Sequence, residues 1–343
     1  MIRAYIYNAK GIYALLVIVV DDMILATNNK AFTEEFYKSM KVTFDFKDLG
    51  EPTYVIGLQM QRTTTQLSIS QQRFILDSAD RFKECLSTIK PVKTPLPAKL
   101  QFIKSGTTDD PDSPLVNEKL YRSLVGTLMY AVVSRPDVAT AVSQCARYFT
   151  NPTKVHMTYA LRVLSYLKHT AEYKLTYYAT DKPCLSAYVD ASWGDDIETR
   201  RSRYGYAVYY GRALISWRSK LHSCISLSSA QAEFTAATEV TKEVMWLRHL
   251  LSSVNLKERT STPIHEDNRA VLKMASNLII SSRNKHMDLK MFYVRERVLA
   301  KDVHLMDVST KNERADLLTK NLSFPAFSKF RSMLLQPSTY RET

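Results

Sequence analysis

The stretch Leu185-Ser-Ala-Tyr-Val-Asp-Ala-Ser-Trp-Gly-Asp-Asp196 decides the fold. Leu185, Ala187 and Val189 alternate with Ser186, Tyr188 and Asp190, the period of two followed by a half-buried strand. The strand delivers one carboxylate, Asp190, toward its far end, just ahead of a Trp-Gly turn. Asp is also an ordinary turn and cap residue, so Asp190 gains meaning only from its company. Downstream, Glu233, Asp267 and Asp316 each stand at the edge of a separate expected element.

The elements around that strand follow in a definite order. A basic loop, Arg200-Arg-Ser-Arg203, leads to a strand from Tyr204 to Tyr210, a tight Gly211-Arg212 turn, and a third strand from Ala213. Ser228 opens a helix, with Gln231 three residues on as its capping-box partner. Pro263 to Asp267 reads as a fourth strand, followed by helices over 269–276 and 285–300, a fifth strand from Val303 to Val308, and a last helix over 311–322. The order βββ-α-β-α-α-β-α implies an α/β (α+β) unit with a mixed five-stranded sheet and helices on both faces.

Glu233 is the most telling of the acids. At helical spacing it shares a stripe with Ala237, Val240, Val244, Leu247 and Leu251, all apolar, so the stripe faces the sheet. An ionised Glu buried there costs several kcal/mol unless it is paired or bound to a metal. Asp267 lies at a strand-to-helix junction, where ligands gather in open α/β sheets. It is either a ligand or a helix cap, and Asn268 can take the cap instead. Asp316 sits at the rim of an apolar face, in a helix whose start is accounted for by Thr310 and Glu313. Four such carboxylates suit two divalent cations about 3.5–4 Å apart, one activating water and the other steadying a phosphodiester leaving oxygen. Hard oxygen donors point to Mg2+ or Mn2+.

Composition sets the wider limits. A chain of 343 residues with a 45% hydrophobic fraction has room for more than one core. The formal net charge of +13 suits a polyanionic partner such as nucleic acid, and equally an ordinary basic surface. Only 8 glycines argue against a Gly-rich phosphate loop. Cys85, Cys145, Cys184 and Cys224 are isolated, which suits reduced thiols in an intracellular, cytoplasmic or nuclear, compartment. The apolar run Ala14 to Val20 is too short to span a bilayer, so no membrane partner is expected.

The first half of the chain reads as separate short elements. Residues 10–27 form a hairpin with Asp21 and Asp22 at its tip, either a metal-binding pair or a plain turn. Helices are expected over 31–47 and 72–86, a long loop over 90–117, and helices near 118–133, 136–149 and 152–169.

Many ordered motifs together make the sequence recognisable. Asp190-Ala-Ser-Trp-Gly-Asp, Arg201-Ser-Arg-Tyr-Gly-Tyr, Ile215-Ser-Trp-Arg-Ser-Lys and Leu227-Ser-Ser-Ala-Gln-Ala-Glu-Phe resemble the ribonuclease H region of copia-type retrotransposon polyproteins. So do Lys242-Glu-Val-Met-Trp-Leu-Arg, Asp267-Asn, Ser282-Arg-Asn-Lys-His-Met-Asp and Ala315-Asp-Leu-Leu-Thr-Lys. The resemblance implies that Asp190, Glu233, Asp267 and Asp316 are the catalytic metal ligands for cleaving the RNA strand of an RNA–DNA hybrid. Arg201, Arg203, Lys285 and His286 are the expected contacts to the nucleic-acid backbone; His286 serves product release or simply caps its helix.

Upstream, Val19-Val-Asp-Asp resembles the family's Y-V-D-D polymerase motif, and Lys47 to Leu58 resembles the neighbouring palm segment. Tyr121-Arg-Ser-Leu-Val-Gly-Thr-Leu-Met-Tyr and Ser134-Arg-Pro-Asp-Val resemble the thumb and connection. The implied organisation is a partial reverse-transcriptase palm over 1–100, a helical thumb and connection over 101–180, a ribonuclease H-like domain over 181–325 and a C-terminal tail over 326–343. Two departures stand out. Val19 replaces the motif's Tyr, and residues 1–20 contain no Asp or Glu to complete a polymerase metal site. The sequence therefore reads as a polymerase whose earlier part is missing, with Asp21 and Asp22 vestigial, that part of a reverse transcriptase a conceivable partner, and no DNA synthesis expected from this chain alone. The alternative to a working nuclease is a catalytically idle, nucleic-acid-binding remnant.

Overall fold

A computed structural model of the chain describes residues 2–107, 110, 112–179, 183–276 and 288–337. The expected hairpin is present as β2 (Ile12–Val19) and β3 (Asp22–Thr27), and β1 (Ile2–Ala9) adds a third antiparallel strand. α1 (Lys30–Thr43) is capped by Asn29, whose side chain accepts the Phe32 N–H at 3.0 Å. It ends earlier than the apolar spacing suggests, where β-branched Val42 and Thr43 weaken its last turn.

β4 (Tyr54–Val55), β5 (Leu58–Arg62) and β6 (Gln66–Ser70) lead into α2 (Gln72–Arg81) and α3 (Lys83–Leu86), so the helix expected over 72–86 breaks at Phe82. Among its described residues, the proline-rich loop carries the short pair β7 (Phe102–Ile103) and β8 (Gly106–Thr107), and an isolated bridge from Leu115 to Thr153. α4 (Glu118–Ala131), α5 (Ala139–Cys145) and α6 (Lys154–His169) follow, with the break at Arg135-Pro136 as expected. β9 (Leu175–Tyr178) is unforeseen. It pairs antiparallel with β6 and closes a four-stranded sheet of order β4-β5-β6-β9.

The second sheet is the expected mixed one. β10 (Leu185–Ser192), β11 (Arg203–Tyr210) and β12 (Ala213–Leu221) are joined by β13 (Thr262–Glu266) and β14 (Val303–Asp307) in the order β12-β11-β10-β13-β14. β10 is antiparallel to β11 and parallel to β13, and β13 is parallel to β14. α7 (Ser229–Ser253), α8 (Arg269–Ser276) and α9 (Asp288–Leu299) complete the α/β unit, the mixed five-stranded sheet with flanking helices anticipated from the order of elements.

Alternation decides which face each residue takes. Leu185, Ala187, Val189 and Ala191 pack with Tyr204, Tyr206 and Val208 against Ala232, Ala236, Val240 and Val244 of α7. On the opposite face, Ala207 and Tyr209 join a larger core with Leu124, Leu128, Leu164 and Leu167 of α4 and α6. That core runs across the boundary expected at residue 180, so the helical segment and the sheet share one buried interior.

The C-terminal part differs most from expectation. In place of one helix over 311–322 stand two 3-10 turns, Thr310–Asn312 and Arg314–Leu318. Glu313 between them is extended, and its carboxylate accepts the Ala315 N–H at 2.9 Å, so it starts a new turn instead of closing a box with Thr310. The stretch read as a tail contains most of α10 (Phe324–Leu334), which opens with Pro325 in its first turn and buries Phe327, Phe330 and Leu334 in the main core. Among the described residues no helix is long and apolar enough to cross a membrane.

Candidate active site

Asp190, Glu233 and Asp267 each present a carboxylate oxygen within 4.8 Å of the others. Parallel neighbours β10 and β13 bring Asp190 and Asp267 out side by side near their C-terminal ends. The N-terminal part of α7 then brings Glu233 to both. Its start is fixed by Ser228, whose hydroxyl accepts the Gln231 N–H at 3.1 Å. Gln231 answers through its own carbonyl oxygen, which accepts the Leu227 N–H at 2.6 Å, one residue earlier than a standard capping box. Asn268 accepts the Ala270 N–H at 3.0 Å and so does the capping, which leaves the Asp267 carboxylate for other work.

Asp316 arrives from the other face of the sheet, on the Arg314–Leu318 turn. Gly205, opposite Asp190 in the β10–β11 register, lets that turn approach, since a Cβ there would meet Leu318 at 2.6 Å. Lys320 joins the two acids: its Nζ lies 2.6 Å from Asp316 Oδ1 and 3.1 Å from Asp190 Oδ2. The Thr319 hydroxyl also donates to Asp190. Thr310, expected to open a helix, instead donates its hydroxyl to Asp267 Oδ2 at 2.9 Å.

Sequence reasoning missed two further acids. Glu266 and Glu313 are both 0% exposed, and each keeps one carboxylate oxygen without a partner. A signal for Glu266 was present, because it continues the buried alternation of Thr262 and Ile264. Glu313 offered none, since its burial depends on how the two 3-10 turns dock.

This crowding shifts the proton affinities strongly. Burial, reinforced by Asp190, Glu266 and Asp267, pushes the Glu233 carboxyl up to about 11. Burial likewise holds Glu266 and Glu313 well above the usual carboxylate range, despite the N–H bonds each accepts. Asp316 is raised to about 6 by burial and by Asp190, with Lys320 pulling the other way. Burial alone would lower the Lys320 ammonium, but Asp190 and Asp316 outweigh it and hold it above its ordinary value.

The residues present fit divalent cations. Glu233 is nearly buried, and its Oε2 has no hydrogen-bond partner although it belongs to a cluster of like-charged groups. An oxygen taken out of water and left unpaired is costly unless a cation or proton meets it. The donors in reach are carboxylates, the set suited to Mg2+ or Mn2+.

The other expected residues are scattered. Arg201 is exposed on the loop before β11. Arg203 is not available to a nucleic-acid backbone: it is 1% exposed, and its guanidinium is spent on Asp195 Oδ2 at 2.9 Å and Ser143 Oγ at 2.8 Å. It lies inward because β11 alternation turns it toward α5. Lys285 and His286 lie outside the described residues. Asp21 and Asp22 are exposed at the β2–β3 turn and form no group of three or more potential ligands among the described residues.

No protein-family profile matches the chain. Over 313 residues it is 34% identical to the retrovirus-related Pol polyprotein from transposon TNT 1-94 of Nicotiana tabacum, covering 90% of this chain and 23% of that polyprotein. It is 32% identical over 328 residues to the corresponding polyprotein from transposon RE1 of Arabidopsis thaliana, covering 95% of this chain and 22% of the relative. The chain thus spans less than a quarter of either polyprotein. Among solved structures, an RNase H1 from the halophilic archaeon Halobacterium salinarum aligns at 17% identity and a TM-score of 0.31, covering 39% of this chain and 93% of that one. Along nearly its whole length, the chain's homologues are thus retrovirus-related Pol polyproteins of copia-type transposons.

Proposed function

We propose that the α/β unit is a ribonuclease H-type nuclease that hydrolyses the RNA strand of an RNA–DNA hybrid with two divalent cations, Mg2+ or Mn2+. The observation that carries this is the meeting of Asp190, Glu233 and Asp267 oxygens within 4.8 Å, with Asp316 tied to Asp190 through Lys320. Homology to the Pol polyproteins supports the same chemistry.

Bound Mg2+ or Mn2+ supplies water activation and charge neutralisation at a phosphodiester. The protein's own residues do the rest. Asp190, Glu233, Asp267 and Asp316 are the ligands. Thr319 fixes the rotamer of Asp190, and Thr310 does the same for Asp267. Burial and the neighbouring acids raise the proton affinity of Glu233, and only its carboxylate form can ligate, so metal binding there competes with a proton. Arg201, exposed on the loop before β11, is the residue we assign to hold a phosphate of the hybrid. The Asp21-Asp22 turn takes no part.

The test is cleavage of a labelled RNA–DNA hybrid by the purified chain in Mg2+, compared with Asp190→Asn. Cleavage of the RNA strand by the wild type, lost in the variant, is the expected result. Hybrid binding with no Mg2+-dependent cleavage by either protein would overturn the nuclease assignment.

A further inference from the structure

Among the described residues, both ion pairs made by the acidic cluster involve one cation. Lys320 Nζ bonds to Asp316 Oδ1 at 2.6 Å and lies within 3.2 Å of both Asp190 oxygens. It follows Asp316 by one helical turn, so the same short segment supplies a ligand and a positive charge to it. Its side chain is 38% exposed, against 2% for Asp190 and 9% for Asp316, so it has a way out to solvent that the two acids lack. The cluster is therefore divided. Its Asp190–Glu233–Asp267 side holds three carboxylates within 4.8 Å of one another, while its Asp190–Asp316 side is already bridged by an ammonium.

An ammonium and a divalent cation cannot both sit between the Asp190 and Asp316 carboxylates, because they would repel at a few ångströms. Each carboxylate oxygen has two lone pairs, so Asp190 Oδ1 keeps one for an ion on the Glu233–Asp267 side while Lys320 holds the other. We propose that Lys320 is the resident counter-cation of the Asp190–Asp316 side, which makes metal loading ordered. The Asp190–Glu233–Asp267 side fills with Lys320 in place; the Asp190–Asp316 side fills only when the Lys320 ammonium swings out. This rests on the metal-centre reading above and adds to it a gate supplied by the chain itself. Lys320 acts as a positioning residue that holds Asp316 against Asp190 until the second ion arrives.

Mn2+ binding to the full chain tests this without any turnover, by calorimetric titration and by electron paramagnetic resonance counting of bound ions at one neutral pH. The wild type should bind a stronger and a weaker Mn2+, with Asp316→Asn abolishing the weaker. Lys320→Met should strengthen the weaker site by about tenfold or more, because one opposing charge is gone, and leave the stronger site nearly unchanged. Lys320→Gln, which keeps a donor without the charge, must do the same, and Lys320→Arg must behave as wild type. Two bound ions whose affinities stay the same or fall in both neutral variants would overturn the role of Lys320 alone. A wild type that binds no Mn2+ would overturn it together with the metal centre.

Discussion

Gly205 and Leu318 approach so closely that a Cβ on Gly205 would lie 2.6 Å from the Leu318 Cβ and 2.8 Å from its carbonyl oxygen. The backbone of β11 is thus the floor on which the Asp316 turn rests. Thr140 of α5 braces the same turn by donating to the Leu317 carbonyl at 2.9 Å. Gly205→Ala should lift the turn and cost about 1–3 kcal/mol, the usual scale for overpacking. Urea denaturation of the metal-free chain gives the stability, and Mn2+ titration should show the loss falling mainly on the ion that depends on Asp316. An unchanged midpoint and an unchanged titration would show that the turn relaxes freely.

The raised acids fix the sign of the metal-free pH dependence. Glu233 is raised from 4.5 to about 11, so the folded chain holds that proton more tightly than the unfolded chain does. Its stabilising contribution is complete below the unfolded value and is lost as pH rises through the window toward about 11. Each such proton sets a slope of up to about 1.4 kcal/mol per pH unit. Relative to Glu233→Gln, metal-free wild type should therefore lose stability from about pH 5 to about pH 9. Saturating Mg2+ should reverse that difference, because ligation favours the deprotonated carboxylate. Denaturant midpoints across the range check both signs; a wild type that tracks the variant without metal would rule out a proton held by Glu233.

Arg201 and Arg203 separate binding from folding. Arg203→Leu leaves Asp195 without its cation in a mostly buried setting and should cost on the order of 3 kcal/mol, read by thermal or urea unfolding. Arg201→Ala should barely change stability. It should weaken hybrid binding and reduce the slope of log affinity against log salt by about 1. Equal stability losses in the two variants would contradict their different placements.

Local periodicity carried much of this molecule in the sequence itself. The alternation through Leu185, Ala187 and Val189 and the stripe from Glu233 through Leu247 each depend on nearest neighbours along one element, so β10, α7 and a buried Glu were legible without coordinates. Asn268 as the cap that releases Asp267 was legible for the same reason. Tertiary packing alone decided the rest. β9 pairs with β6 across more than a hundred residues of chain, Arg203 turns inward to reach Ser143 on α5, and the C-terminal segment splits because Glu313 caps a new turn while α10 takes a place in the shared core. The same packing presses the Asp316 turn onto Gly205 and so sets Lys320 between two acids far apart in sequence. Residue spacing names the four carboxylates, but only the folded chain, by excluding water around them, makes their charges compete for one cation.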